Sequence, residues 1–478
     1  MKRNLAATLV MALATAGVLA GCGGGGGGGA GAQPGGIDRG GRTIAQGPIN
    51  GFGSVWVNGV EYSTNGATIT VDGNPGTEAD LRVGQFVRVE GTVAANGTTG
   101  TATRVTYADD VEGPIQAIDL AAGTLVVVGQ TVLTSLATSF DSSIQPNDLS
   151  GLAVGDRVEV SGAVSASGVV NATRIERKAA SGSVNVRGTV SALDASNHRF
   201  SVNAQRVDYS TATLSGFASG APADGDLVEV KGAFDGGGTL VATSVERESS
   251  SQPGDSSDKA DFEGLVTRYV SSQDFDVAGQ RVTTTATTAY VGGGAANLAL
   301  DAYVDVEGSF DAGGRIVATK VEFEQQADAE ISATVDSVNV AGSTFVVLGS
   351  TIHTNPQTRF EDKSAAQLKY FGLADLHSGD FVEVRAYTGA AGLVATIVER
   401  RDVQSRLEVT GVAAALAQPN LTVAGVSVTT DAATQFRDKN GVDIGASAFF
   451  ATAAGHVVKV RGSLVGNTLL AERAELEN

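Results

Sequence analysis

One phrase returns six times along the 478 residues: a Val-x-Val strand ending in Gly, followed about ten residues later by Ala-Thr-x-Val-Glu. It appears first as Val87-Arg88-Val89-Glu90-Gly91 with Ala102-Thr103-Arg104-Val105. Its clearest form is Val158-Glu159-Val160-Ser161-Gly162 with Ala172-Thr173-Arg174-Ile175-Glu176. The Ala falls at 102, 172, 242, 318, 395 and 471, in steps of 70, 70, 76, 77 and 76 residues. A period of that length makes the chain an array of small domains. Valines alternating with charged residues give period two, the pattern of a strand with one covered face.

The second unit shows the strand order. Val111 to Ile118 reads as a first strand, Asp119 to Gly123 as a turn, and Thr124 to Val128 as a second strand. A third begins at Thr131 and ends at Phe140; residues 141–152 are polar and broken, with room for a helical turn. Val154-Gly155-Asp156 turns into Arg157 to Val160, and a Gly-containing hairpin leads to a last strand, Val169 to Glu176. Three strands, a short helix or loop, then two strands is the order of an OB-type barrel, which buries its edges by closing. An immunoglobulin-like sandwich usually needs about seven strands and about 100 residues, too many for this step.

The predicted fold is all-β: a tandem array of six small OB-like five-stranded barrels at 47–108, 109–178, 184–248, 261–325, 329–400 and 406–478. Residues 249–260, rich in Ser with Pro and Gly, read as a flexible linker. Each unit carries a complete strand set, so neighbours are expected to pack or hang as beads, without the shared cores of a solenoid. One detail resists the simple scheme. Leu240 and Ala242 share a face by parity while Val245 falls on the other, which calls for a bulge near Ser244 or cover on both faces.

These repeats resemble a bacterial family known as domain of unknown function 5666, found in exported and lipid-anchored proteins. The resemblance rests on Gly188-Thr189-Val190, Gly279-Gln280-Arg281-Val282, Leu152 to Val160 and the closing Ala-Thr-x-Val-Glu, and it covers nearly all of residues 47–477. Repeats one, five and six depart most: repeat five has Ala386 for the strand-ending Gly, and repeat six loses the Val-Glu close. The resemblance supports the architecture and brings no catalytic or binding residue with it.

The N-terminus carries an address. Lys2 and Arg3 precede an apolar stretch, Leu5 to Leu19, too short to span a bilayer comfortably. It ends in Leu19-Ala20-Gly21-Cys22, which resembles the bacterial lipobox; residues 1–22 are therefore expected to be a lipoprotein signal, with Cys22 acylated by chains such as palmitate. Each buried methylene of such a chain adds about 0.8 kcal/mol of membrane affinity. Gly23 rather than Asp follows the Cys, the pattern expected of the outer membrane of a Gram-negative bacterium. Residues 23–46 begin with an unbroken glycine run and are expected to be a disordered tether.

Composition narrows the function. With 52 acidic and 33 basic residues the net charge is -19, which repels phosphate backbones and makes nucleic acid a poor partner. Aromatics make up only 5 %, so the cores must be built from Val, Ile, Leu and Ala. The histidines, His198, His353, His377 and His456, fall at unrelated positions in their repeats and form no triad or metal set. Cys22 is the only cysteine, and no Gly-x-Ser-x-Gly elbow has a partner histidine. Asp72 to Glu78 and Asp224-Gly225-Asp226 are oxygen-rich but lack calcium-loop spacing, so no metal or other cofactor is expected. Phe140, Tyr290, Phe360 and Phe436 recur at one position per repeat, as core plugs rather than a stacking platform. Trp56, the only tryptophan, alternates with Val55 and Val57 and is the candidate ligand contact.

The expected function is that of a non-enzymatic, lipid-anchored envelope protein, a structural or multivalent binding module held to the membrane by its acyl groups. The alternative is a carbohydrate- or peptide-binding envelope protein, with glycans or envelope proteins as partners, using barrel faces or loops. A hydrolase is a distant third.

Overall fold

The computed structural model describes residues 41–249 and 254–477. Repeat 2 shows the barrel closing. The C-terminal half of its first strand, Val111–Asp119, pairs antiparallel with Thr124–Val127. The N-terminal half pairs with Arg157–Val164. Gln130–Leu133 lies antiparallel to the second strand and parallel to the last strand, Val170–Arg177. The last strand returns antiparallel to Arg157–Val164, and the ring is complete. Ser139–Phe140 continues the third strand beyond a turn, still parallel to the last. The same ring forms in all six repeats, so edges that a flat sheet would expose are paired. The break between the third and fourth strands holds a 3-10 turn such as Leu149–Gly151 and, in repeat 6, an α-helix, Gly445–Thr452.

The recurring phrase marks a β-bulge. Ser161 faces Arg174 and Gly162 faces Ala172, so Thr173 is the extra residue. The register shifts at the equivalent place in every repeat, including Lys231/Gly232, which accounts for the parity change between Ala242 and Val245. The strands approach so closely that a Cβ on Gly162 would lie 2.2 Å from the Asn171 carbonyl oxygen. The bulged Thr173 donates its hydroxyl to the Ser161 carbonyl at 3.1 Å, as Thr103, Thr243, Thr319 and Thr396 do to theirs. Thr173→Val keeps the shape and removes this bond; it should cost about 1 kcal/mol, read from the denaturant midpoint. An unchanged midpoint would show that the glycine alone holds the bulge.

The repeats are not beads. Each first strand is long, and the outer edge of its N-terminal half is left free by barrel closure. That edge pairs with the first strand of another repeat. Repeats 2 and 3 join antiparallel through Asn185↔Glu112 and Val186↔Val111. Repeats 5 and 6 join through Glu330↔Thr410, Ile331↔Val409 and Ser332↔Glu408. Repeat 1 skips its neighbours and joins repeat 4 in parallel, from Thr43↔Lys259 to Gln46↔Phe262. The result is three sheets of 13, 12 and 12 strands, each holding two barrels. The expectation of separate cores fails for the same reason. Buried side chains run continuously through repeats 2 and 3 and through 5 and 6, and Ile44 of repeat 1 lies in the core of repeat 4. The first strand opens at Gly41, inside the segment read as tether, and Lys259–Ser271 opens inside the one read as linker.

The barrel cores are mainly aliphatic but also hold buried aromatics such as Tyr62, Phe200, Phe275 and Phe345, and the third-strand aromatics pack against them. Phe140 and Phe436 are buried, while Tyr290 and Phe360 are half-buried. Phe436 stacks with Phe449 of the helix at 5.2 Å. That contact packs the helix, which carries two phenylalanines, against the barrel of repeat 6.

Candidate functional site

Alternation puts the charged residues of each barrel on its outer face. Where the three sheets meet, those faces are buried against one another, and the charges become the contact. Arg174 of repeat 2 is 2 % exposed and reaches Glu361 of repeat 5 at 3.0 Å and the Val83 carbonyl of repeat 1 at 3.0 Å. Arg385 of repeat 5 donates to the Thr138 carbonyl of repeat 2 at 2.7 Å. Lys363 bridges the Phe140 carbonyl of repeat 2 and Glu399 of repeat 5 at 2.5 and 2.6 Å. Glu399 is fully buried and also meets Arg401, Arg385 and Asn147. Burial alone would raise the Glu399 carboxyl; Lys363, Arg385 and Arg401 outweigh it and hold the group well below the usual range.

Beside this network lies a cavity of about 450 Å³ with walls from repeats 1, 2, 4 and 5. That is the size range of pockets for small organic ligands. One wall is acidic. Glu263 lies on the outer face of Lys259–Ser271, between Phe262 and Gly264, and is 7 % exposed. It accepts the Tyr303 hydroxyl at 2.8 Å, and no lysine or arginine lies within 4 Å of it among the described residues. Burial and the nearby Asp305 push its carboxyl up to about 7. Glu324, also on this wall, is pushed well up by burial and by Glu263, Asp305 and Glu322. Lys320 serves Asp305, Glu307 and Glu322, so one ammonium faces a crowd of carboxylates.

The cavity lining also carries a cation. Arg359, 7 % exposed, donates to the Ala137 carbonyl at 2.7 Å and the Thr173 carbonyl at 3.3 Å. It has no carboxylate within 4 Å among the described residues, and burial lowers its affinity for its proton. Tyr387 and Tyr303 supply aromatic surface, Leu265 and Phe323 apolar surface. Asn50 of repeat 1 donates to the Gln357 carbonyl at 3.0 Å and ties the floor of the cavity across repeats. The arrangement offers a buried cation and buried carboxylates beside aromatic side chains in one cavity.

Trp56 stands on Val55–Val57 with its neighbours Val55 and Val57 fully buried and its own side chain half-buried on the other face. It does not line the cavity. Cys22 lies outside the described residues. His353 ends a strand of repeat 5 and His377 sits exposed in a loop, its Nδ1 4.0 Å from Asp380. Asp226 accepts from Ala223 N and Arg247, and Asp80 caps Thr77. Among the described residues no group of three or more His, Cys, Asp or Glu side chains is placed to hold a metal ion.

None of the cavity residues stood out singly in the sequence, but two break the repeat. Strand pairing makes Arg359 the counterpart of Thr68, Ser139, Thr213, Ala289 and Gln435. It makes Tyr387 the counterpart of Thr92, Ala163, Ala233, Ser309 and Ser463. A charge and a large aromatic where the other repeats are uncharged or small was the available signal.

The chain belongs to the family described as Domain of unknown function (DUF5666), which matches residues 43–106, 112–176, 187–246, 263–322, 332–399 and 409–475. These six matches coincide with the six barrels. No curated protein matches the chain. Among the described residues no helix is long and apolar enough to cross a membrane.

Proposed function

We propose that the chain is a non-catalytic, lipid-anchored protein of the bacterial cell envelope that binds a small carbohydrate or peptide in the cavity between repeats 1, 2, 4 and 5. The observation that carries the binding reading is that cavity: four repeats contribute to one site with buried polar groups of both signs. A multivalent module with six equal weak sites has less support, because the barrel faces that would repeat the site are largely spent on one another. The anchor rests on the lipobox-like Leu19-Ala20-Gly21-Cys22 and on the glycine run that follows it. Gly23 after the Cys favours the outer membrane. The acidic surface leaves attachment to the acyl chains, since an anionic leaflet repels it.

Cys22→Ser should move the protein from the membrane to the soluble fraction of the envelope while its melting curve stays unchanged. Membrane fractionation that survives the substitution would remove the anchor from the proposal. Binding is tested by calorimetric titration with neutral oligosaccharides and short peptides, and a site in the cavity requires that Tyr387→Ala weaken whichever binds.

A further inference from the structure

Resting on that reading of the cavity as the binding site, we infer that its ligand is a short zwitterionic peptide, its ammonium seated on Glu263 and its carboxylate on Arg359. Both protein groups are more than nine-tenths buried, both line the cavity, and neither has an opposite charge within 4 Å among the described residues. A buried charge without a counter-charge is costly, and a cavity between two such groups lets an incoming molecule supply both partners at once. The two charges attract one another but form no ion pair within 4 Å, and other hydrogen bonds hold each on its own element. Arg359 is held by the Ala137 and Thr173 carbonyls of repeat 2, and Glu263 by the Tyr303 hydroxyl of repeat 4.

The acidic wall is short of positive charge in a second way. Lys320 is already shared by Asp305, Glu307 and Glu322, leaving Glu263 and Glu324 to the cavity. A neutral sugar would leave that shortage unmet, and an anion would worsen it. Tyr387, Tyr303 and Phe323 add apolar and aromatic surface to the cavity, suited to the side chains of two or three residues in about 450 Å³.

Glu263, with a carboxyl pushed up to about 7, faces Asp305, Glu322 and Glu324 from its own barrel, the Tyr303 hydroxyl, and Arg359 from repeat 5. An ammonium pairs with the ionised carboxylate, so peptide affinity should rise from pH 6 to about 7.5. It should fall again as the ligand's own amine, near pKa 8, loses its proton.

The test is calorimetric titration of the full chain in detergent with trialanine, N-acetyl-trialanine, trialanine amide and maltotriose. Trialanine should bind, and either blocked form should bind at least about thirtyfold more weakly, the cost of leaving one buried charge unpaired. In Glu263→Gln the penalty for acetylation should shrink, and in Arg359→Gln the penalty for amidation. Equal affinity for free and blocked peptides, or no binding of trialanine, overturns the inference. Maltotriose binding that Tyr387→Ala abolishes, without peptide binding, rejects the peptide and keeps the cavity as the site. No heat from any of the four ligands rejects both.

Discussion

Glu399→Gln should destabilise the folded chain by about 3–5 kcal/mol, the usual cost of removing one partner from a buried ionic cluster. The carboxylate is fully buried and is met by Lys363 at 2.6 Å, by Arg401, and by Arg385 at 3.9 Å. Glutamine keeps the volume and can still accept hydrogen bonds, but it strands Lys363, whose side chain is 2 % exposed and whose remaining carboxylate, Glu361, is 3.4 Å away. Lys363 and Arg385 both reach the backbone of repeat 2, alongside Arg359, so the damage should appear first as separation of repeat 5 from repeat 2. Native-state hydrogen exchange should show the amides around Ser139–Phe140 losing protection before those inside the barrels. The double substitution Lys363→Met with Glu399→Gln should cost less than the sum of the two single ones, because each removes what the other leaves unpaired. Additive costs would mean that the two side chains do not act as a pair.

Phe262→Ala should cost about 3–5 kcal/mol by leaving a cavity in the core of repeat 4. The ring is 1 % exposed and packs edge-on against Phe310, with centroids 6.1 Å apart and planes at 81°. Ile44 of repeat 1 belongs to the same buried cluster, and Phe262 is the strand partner of Gln46. The loss should therefore loosen the seam between repeats 1 and 4, as well as the barrel that holds the ring. Exchange protection should fall over residues 43–46 and over repeat 4 together, while repeats 5 and 6 keep theirs. A fall confined to residues 259–323 would show that the seam does not depend on the shared core.

The barrel was legible in the sequence because its evidence is local. Val158-Glu159-Val160 alternates with period two, Gly162 and Ala172 recur at fixed steps, and three strands before the break with two after it admit few closed topologies. The bulge left a trace in the parity of Ala242 and Val245, though the role of Thr243 on the Lys231 carbonyl emerges only from the paired strands. The pairing of barrels was not legible. Residues such as Asp261, Glu263, Arg359 and Glu399 alternate with apolar ones and read as a solvated face, because nothing local distinguishes a charge in water from one buried against a distant repeat. Asn58 donating to Asp261 at 2.8 Å joins positions 203 residues apart. Shared cores are not expected from a complete strand set per repeat, because that count hides the free outer edge of the long first strand, which a closed barrel still has to cover. Trp56 is conspicuous as a lone large aromatic yet lies outside the cavity, where Arg359 and Tyr387 mark the departure of repeat 5 from its siblings and Glu263 and Tyr303 come from repeat 4.

The pairing of repeat 1 with repeat 4 is tested most directly by a disulfide between Thr43→Cys and Lys259→Cys, placed in the Cys22→Ser chain so that no other thiol is present. Thr43 and Lys259 are partners on adjacent parallel strands, within the Cα separation a disulfide can span. Under mild oxidation the monomer should close this link, visible as a faster-migrating band without reductant and as one cross-linked peptide by mass spectrometry. Two free thiols, or bonds formed only between separate chains, would mean that the repeats do not assemble in this order.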